Sequence, residues 1–267
     1  MKIALSFFAM FFGIFLLSCS DDNSTNNDKT DYYWYLCNKT GNYRIEDVYK
    51  LDADGNRQDL IRANDSTVWS QKQMIGDKET TVLMKYDTEG NVHMALPNYF
   101  DGTKLYLYPV IWKFYTDLYE SEYGIDYPLK PAADELWLLV DFTKDVGEVW
   151  EGFPEKSCVD YPIAENATYT ATINYYGWIA KEIQYEVDGK KYDTKVVETH
   201  FTVVGHSIID GEMTEIHVDY KQVYYFAYEA GMVLFRDYPF DAGIGYGPLP
   251  GGGEEWVTKR VGISDTK

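Results

Sequence analysis

The stretch Tyr185–Tyr192, with the sequence YEVDGKKY, decides the fold class because it places Asp188 and Gly189 between two extended runs. Asp and Gly readily adopt the positive φ that two-residue β-turns require, so this pattern predicts a β-hairpin. The same arrangement recurs in Tyr49–Arg57, in Lys85–Val92 and around Asp210. A chain built from such repeats is expected to form an antiparallel meander.

Alternating or apolar runs of strand-forming residues flank these turns at regular spacing. The chain also contains 25 Tyr and is 17% aromatic, a composition that favours strands. We therefore predict an all-β fold, an antiparallel meander of hairpins forming a curved sheet, half-barrel or barrel, with at most one short helix at Ile111–Tyr123. The predicted strands are Tyr43–Tyr49, Thr80–Tyr86, Val92–Leu96, Leu105–Val110, Leu136–Phe142, Tyr169–Tyr175, Lys181–Tyr185, Tyr192–Val204, Met213–Tyr220 and Val223–Tyr228.

The first eighteen residues have the layout of a signal peptide. Lys2 supplies one positive charge, and Ile3–Leu17 is an apolar run shorter than the roughly 20 residues that cross a bilayer. The run ends in Leu-Leu-Ser-Cys, which resembles a bacterial lipobox. This resemblance implies cleavage after Ser18 and lipidation of Cys19, so that the lipid attaches the chain to a membrane.

The residues after Cys19 begin with Ser-Asp-Asp, which is similar to the start of many lipoproteins of the Bacteroides and Flavobacterium lineage. In those proteins an acidic pair implies routing to the outer membrane and exposure at the cell surface. Residues 19–30 are polar and are expected to form a flexible lipidated tether. The remaining residues, 31–267, show no change in composition and are predicted to form a single β-rich domain.

The charge of the chain excludes one class of partner. Asp and Glu outnumber Lys and Arg by 43 to 24, which gives a formal net charge of −19. Binding to nucleic acid depends on clusters of Lys and Arg, so no nucleic-acid partner is expected.

Two cysteines remain beyond the lipidation site. In an oxidising compartment Cys37 and Cys158 are candidates for a disulfide, and the alternative is two separate buried thiols. No further ligand accompanies them at the spacing of a four-ligand zinc site.

Four segments in the second half of the chain, within about residues 145–237, resemble uncharacterised β-rich bacterial lipoproteins. This resemblance implies a sheet related to the half-barrels of outer-membrane lipoprotein carriers and binding proteins, and it implies no enzyme activity. The segments are Gly147–Trp150, Thr202–Gly205, Ile216–Tyr220 and Tyr225–Val233.

A two-residue turn at Asp210 sets a register that places His206 opposite Glu215. Alternation then puts His200, His217 and Glu198 on the same face. Three of these residues, His206, Glu215 and His217, form a candidate metal site, and the alternative is a solvated polar face with one His–Glu pair. A slip of one residue would destroy the arrangement.

Large aromatic side chains are the candidates for ligand contact. Trp112, Trp137 and Trp178 are spaced along the predicted sheet, and aromatic platforms on sheets bind sugars and lipids. The alternative for each of them is packing in the core.

No nucleophile elbow, zinc-protease helix or phosphate loop is present, and no cofactor is predicted. The favoured hypothesis is a lipid-anchored, non-enzymatic envelope protein whose concave sheet face binds an unidentified lipid-like or glycan ligand or a protein partner. The first alternative is an envelope hydrolase that acts on glycans through paired carboxylates. The second is a structural or assembly subunit of an outer-membrane complex.

Overall fold

Twelve antiparallel strands form one continuous sheet in the part of the chain that the structure describes. The structure is a computed structural model that describes residues 31–110, 113, 116–117, 120–121, 128–239 and 253–263. The predicted signal peptide and tether, and Trp112, lie outside the described residues. The strands are β1 Tyr43–Leu51, β2 Arg57–Ile75, β3 Lys78–Tyr86, β4 Val92–Phe100, β5 Lys104–Leu107, β6 Trp137–Asp141, β7 Val149–Ala164, β8 Ala167–Val187, β9 Lys190–Ile209, β10 Glu212–Ala227, β11 Gly231–Asp237 and β12 Glu254–Gly262.

The order of the strands is β6-β5-β4-β3-β2-β1-β12-β11-β10-β9-β8-β7. Two six-stranded meanders are therefore joined through the pairing of β1 with β12. The two edges, β6 and β7, follow each other in sequence and meet through side chains, because the ring centroids of Trp137 and Phe153 lie 4.6 Å apart. Nearby, Lys156 Nζ lies 2.5 Å from Glu135 Oε2. The result is a nearly closed, barrel-shaped sheet, which confirms the predicted all-β class.

The turns at Asp188 and Asp210 are two-residue β-hairpin turns, as their sequences predict. Val187 pairs with Lys190 across the turn between β8 and β9, and Ile209 pairs with Glu212 across the turn between β9 and β10. Asp188 and Gly189 have φ angles of 51° and 74°, the left-handed values that a two-residue hairpin turn of this type requires.

A short 3-10 helix, Tyr32–Tyr35, leads into the sheet. The backbone N–H of Glu229, between β10 and β11, donates to Trp34 O at 2.7 Å. The ring of Tyr35 stacks on Phe142 at 5.5 Å. These contacts fix the start of the domain against the main core. In the segment 110–121, the described residues have helical backbone.

Successive side chains of a strand point to opposite faces of the sheet, so every second residue contributes to the main aromatic and aliphatic core. The tip of the β8–β9 hairpin covers a second, smaller cluster, in which Val187 and Tyr192 pack with Ala227 and Val233. Among the described residues, no helix has the length and apolar character needed to cross a membrane.

Candidate functional site

The inner face of the sheet, where a concave binding face was expected, is filled by side chains at several levels. Trp137 of β6 stacks on Phe201 of β9 at 5.8 Å, with 11° between the ring planes. Phe142, just after β6, meets Phe226 of β10 at 5.5 Å. These contacts reach across the interior, so the strongest candidate for ligand contact among the described residues lies on the outer face.

Three rings come together on the outer face of β8 and β9. Strand pairing sets Tyr176 directly opposite His200, and Trp178 lies two residues along β8 from Tyr176. The planes are nearly parallel, with angles of 8°, 15° and 18° between pairs. All three side chains are partly exposed. We call these three residues the outer platform.

The centroids of the three rings of the outer platform are almost equally far apart. The centroid distances are 5.5 Å from Tyr176 to His200, 5.2 Å from Trp178 to His200 and 6.1 Å from Tyr176 to Trp178. A single column of three rings in van der Waals contact would separate the outer two by about 7 Å or more. The three centroids therefore form a triangle and not a single column.

Polar side chains frame the outer platform. His200 Nδ1 lies 2.6 Å from Asp219 Oδ1, and His200 Nε2 lies 3.1 Å from Glu198 Oε1. Both nitrogens donate at once only when the imidazole is protonated. Lys221 Nζ lies 2.7 Å from Glu198 Oε2. The frame thus holds two carboxylates, one ammonium group and one imidazole close to exposed rings.

Neighbouring groups shift the pKa values of Glu198 and Tyr176. Burial acts to raise the pKa of Glu198, but hydrogen bonds from Lys221 and His200 outweigh it and lower that pKa. Burial, with the charges of Asp219 and Glu198, raises the pKa of Tyr176, whose hydroxyl therefore stays protonated. Chemically, the site offers stacking faces, a hydroxyl donor and ionised acceptors. Its two carboxylates bind the two ring nitrogens of the same imidazole.

The predicted register of β9 and β10 is confirmed, and the predicted metal site is not supported. His206 does pair with Glu215, but His217 pairs with Val204, further along the ladder. The side chains are spread along the strands, and no group of three His, Cys, Asp or Glu residues in the described chain is arranged to hold a metal ion. Together with Met213 they line a shallow depression of about 410 Å³.

The three tryptophans have different environments. Trp178 lies in the outer platform. Trp137 packs in the core against Phe153 and Phe201, so for this residue the alternative of core packing holds, and its indole Nε1 donates to Glu135 at 2.8 Å. Trp112 is not described.

Cys37 and Cys158 are not joined by a disulfide in this structure. Cys37 follows the 3-10 helix, is buried, and has its Sγ 3.4 Å from Trp34 O. Cys158 is on the edge strand β7, with its Sγ 3.7 Å from Tyr169 O. The two thiols thus have separate local partners.

The sequence did place Glu198 and His200 on one face, but Tyr176, Asp219 and Lys221 were missed. The available signal was the spacing of Tyr176 and Trp178, two residues apart on a strand that pairs with the one carrying His200. A count from the turn at Asp188 would have placed Tyr176 opposite Phe201, because a bulge between Ile179 and Lys181 shifts the register by one residue.

A second outer depression, of about 320 Å³, lies between β3 and β5. Tyr99 and Tyr106 form a tilted pair there, with centroids 5.8 Å apart, and Lys78 Nζ lies 5.1 Å from the centroid of Tyr99. This pair has no histidine between carboxylates and serves below as a comparison for the outer platform.

Comparisons with known proteins give two structural similarities. A protein provisionally described as exported, with a YmcC-like fold, from Bacteroides fragilis NCTC 9343 aligns with a TM-score of 0.39 and 12% identity over 85% of this chain and 98% of that one. A protein provisionally described as a lipoprotein, from Parabacteroides distasonis ATCC 8503, aligns with a TM-score of 0.41 and 10% identity over the same shares. With TM-scores below 0.5, these similarities assign neither family nor function. No protein-family model matches the chain, and no curated protein matches it.

Proposed function

We propose that this protein is a lipid-anchored, non-enzymatic envelope protein that binds glycans at the outer platform. The observation that carries the proposal is the triangle of nearly parallel rings, Tyr176, Trp178 and His200, framed by Glu198, Asp219 and Lys221. Sugar rings present C–H groups to aromatic faces and hydroxyls to charged acceptors and donors, so both parts of the site match them.

The same geometry favours glycans over lipid-like ligands. A lipid carrier needs an enclosed apolar cavity that removes most of the acyl chain from water. Here the interior is occupied by contacts such as Trp137 on Phe201 and Phe142 on Phe226. The outer platform is open, and charged groups border its rings, so it suits a polar ligand with flat apolar faces.

The location is part of the proposal and is supported by the N-terminal sequence. The apolar run, the lipobox-like Leu-Leu-Ser-Cys and the acidic residues after Cys19 indicate attachment to the outer membrane with the domain at the cell surface. Labelling of cells with a fatty-acid analogue tests the anchor, because the Cys19→Ser variant should lose the label. Protease treatment of intact cells tests the surface location.

The test of binding uses the purified mature protein on an array of bacterial and plant glycans, followed by calorimetric titration of each hit. Trp178→Ala should weaken binding at least about tenfold, which corresponds to about 1.4 kcal/mol. Tyr106→Ala, which removes a partly exposed ring from the other depression, is the matched control and should keep the affinity. Unchanged affinity of Trp178→Ala, or the absence of any glycan hit, would contradict the proposal.

A second candidate function, binding of a protein partner, is favoured by exposed apolar side chains at the β9–β10 hairpin. Val204, Ile209 and Met213 are each more than half exposed, and Val204 and Met213 border the depression beside His206. Exposed apolar clusters of this kind often mark protein contacts. Cross-linking on cells distinguishes the two functions, since Met213→Asp should abolish a partner cross-link and leave glycan affinity unchanged.

A further inference from the structure

A cluster of buried charges occupies the inner face of β1, β2, β3 and β12. Arg44, Glu46, Asp65 and Lys85 are each at most 3% exposed. Strand pairing places Arg44, Thr67 and Lys85 in one row across three neighbouring strands. Because adjacent strands lie about 4.8 Å apart, the charged ends of Arg44 and Lys85 are close enough to act on one small group between them.

The carboxylates of the cluster are engaged by other partners. Glu46 accepts hydrogen bonds from Arg44 Nε at 3.1 Å and from Thr67 Oγ1 at 2.5 Å. Asp65 accepts one from Arg62 Nε at 2.9 Å. Lys85 Nζ lies 3.1 Å from the centroid of the Trp256 ring, a contact that satisfies its charge but none of its N–H donors.

Three buried atoms of this cluster have no hydrogen-bond partner among the described residues: Arg44 Nη2, Lys85 Nζ and Thr258 Oγ1. All three lie around Glu46, because Arg44 binds it, Thr258 is its partner on β12, and Lys85 interacts with it more strongly than with any other charge. An unsatisfied buried polar group costs about 1–3 kcal/mol, and a charged one costs more. The arrangement therefore calls for a missing partner.

We propose that a small oxyanion, a carboxylate or phosphate group, binds inside the barrel between Arg44, Lys85 and Thr258, with the Trp256 ring beside it. The two cationic side chains can only donate, and the threonine hydroxyl can donate as well. An oxyanion accepts several hydrogen bonds and gives none, so it satisfies all three donors. One water molecule accepts fewer and brings two protons of its own that need acceptors.

A partly exposed ion pair lies beside the Trp256 ring of this site. Arg62, whose side chain is 30% exposed, has its Nη2 3.1 Å from Glu254 Oε2. The same carboxylate oxygen accepts a hydrogen bond from Trp256 Nε1 at 2.8 Å. Separation of Arg62 from Glu254 would open a path from solvent to Trp256 and Lys85.

The charge on Lys85 gives the site a pH dependence. Burial lowers the pKa of Lys85 to about 8, against the opposing effect of Glu46, Asp65 and Glu254, while the positive charge of Arg62 lowers it further. Lys85 is therefore cationic at pH 7 and neutral well above pH 8. Oxyanion affinity should fall as the pH rises through about 8.

The experiment titrates the purified mature protein with sodium phosphate and, separately, with sodium acetate, with sodium chloride added to keep the ionic strength constant. Saturable binding by calorimetry, with a change in tryptophan fluorescence, is expected at pH 7 and should be at least about tenfold weaker at pH 9.5. A response to phosphate alone identifies a phosphate group, a response to acetate alone identifies a carboxylate, and a response to neither overturns the proposal.

Two variants locate the site. Lys85→Met should abolish the response, whereas Lys72→Met, which removes a lysine from an exposed pair with Glu79, should keep it. If Lys85→Met does not fold, Thr258→Val removes one hydroxyl donor and should weaken binding several-fold. A response that is unchanged in Thr258→Val, or a crystal structure grown in phosphate with one water bridging the three donors, would overturn the proposal.

Discussion

The inner face of the barrel has two regions of opposite chemistry. In the aromatic region, between the 3-10 helix and β5–β10, rings such as Phe142, Phe226 and Trp137 pack on one another. In the charged region, on β1–β3 and β12, Glu46 and Asp65 are as deeply buried as those rings. The first region gains stability from removal of apolar area from water, and the second must offset desolvation of its charges with ion pairs and hydrogen bonds. One continuous sheet is therefore stabilised by packing of rings in one region and by pairing of charges in the other.

The largest expected effect is in the aromatic region. Phe142 is 1% exposed and contacts the rings of Tyr35, Phe100 and Phe226. Phe142→Ala should lower the free energy of unfolding by about 3–5 kcal/mol, because it removes this burial and leaves a cavity. Urea unfolding measures the change. Phe142→Leu is the control and should lose clearly less, and equal losses would mean that the site collapses around either side chain.

The charged region should respond to loss of charge at constant shape. Glu46→Gln leaves Arg44 and Lys85 without their nearest carboxylate and should cost about 3 kcal/mol. The same change at Glu79, which forms an exposed pair with Lys72, should cost less than about 0.5 kcal/mol. Unfolding in urea at constant ionic strength compares the two.

A double variant tests whether the charges of Glu46 and Lys85 are energetically coupled. Glu46→Gln combined with Lys85→Met removes one negative and one positive charge and should recover part of the loss, since the remaining cluster is again balanced. A double variant as unstable as the sum of the single ones would show that the two charges are not coupled.

The strands of the two regions were not equally predictable from sequence. On β9 and β10 most inward residues are apolar or aromatic, so alternation and turn chemistry located the strands and their register. On β8 two separate strands, Tyr169–Tyr175 and Lys181–Tyr185, were predicted where the structure has one strand with a bulge after Ile179. On β2 and β12 the inward residues include Arg62, Asp65 and Thr258, so hydrophobic periodicity gave no signal and both strands were missed. β7 was also missed, because prolines and bulges interrupt its pattern.

The candidate site shows the same limit at the level of side chains. Register placed His200 and Glu198 on one face, as found, because a two-residue turn fixes every pair along the hairpin. It did not show that Asp219 reaches the imidazole or that Tyr176 and Trp178 lie beside it, since these depend on rotamers and on a third strand. The buried charges were not foreseen, because β2 and β12, which carry Asp65 and Thr258, were not predicted as strands.

A change of intermediate size is expected where the two regions meet. Asp237 on β11 accepts hydrogen bonds from Tyr220 and from Gln222 Nε2, and burial raises its pKa to about 7. Because the folded-state pKa lies above the ordinary value of 3.8, the folded chain holds a proton that the unfolded chain releases, and stability from this group falls as the pH rises from about 4 through 7.

Asp237→Asn should therefore raise the free energy of unfolding by about 2 kcal/mol more at pH 7.5 than at pH 5. Unfolding curves of both proteins at the two pH values measure the effect. A gain of equal size at both pH values would show that Asp237 does not titrate in this range and that the variant acts through packing.

The smallest effect is expected at the edge of the aromatic region, on β7. Cys158 is partly exposed there, and burial raises the pKa of its thiol, whereas Cys37 is 1% exposed beneath the 3-10 helix. Both should be alkylated in denaturant without prior reduction, and in the folded protein Cys158 should react first. Mass spectrometry measures both. If these two cysteines are labelled only after reduction, the protein contains the disulfide instead, and this bond joins the start of the aromatic region to its edge strand.

Cys158→Ala should lower the free energy of unfolding by less than about 1 kcal/mol. Cys158 is small and only partly buried on an edge strand, so its truncation removes less buried area than truncation of Phe142.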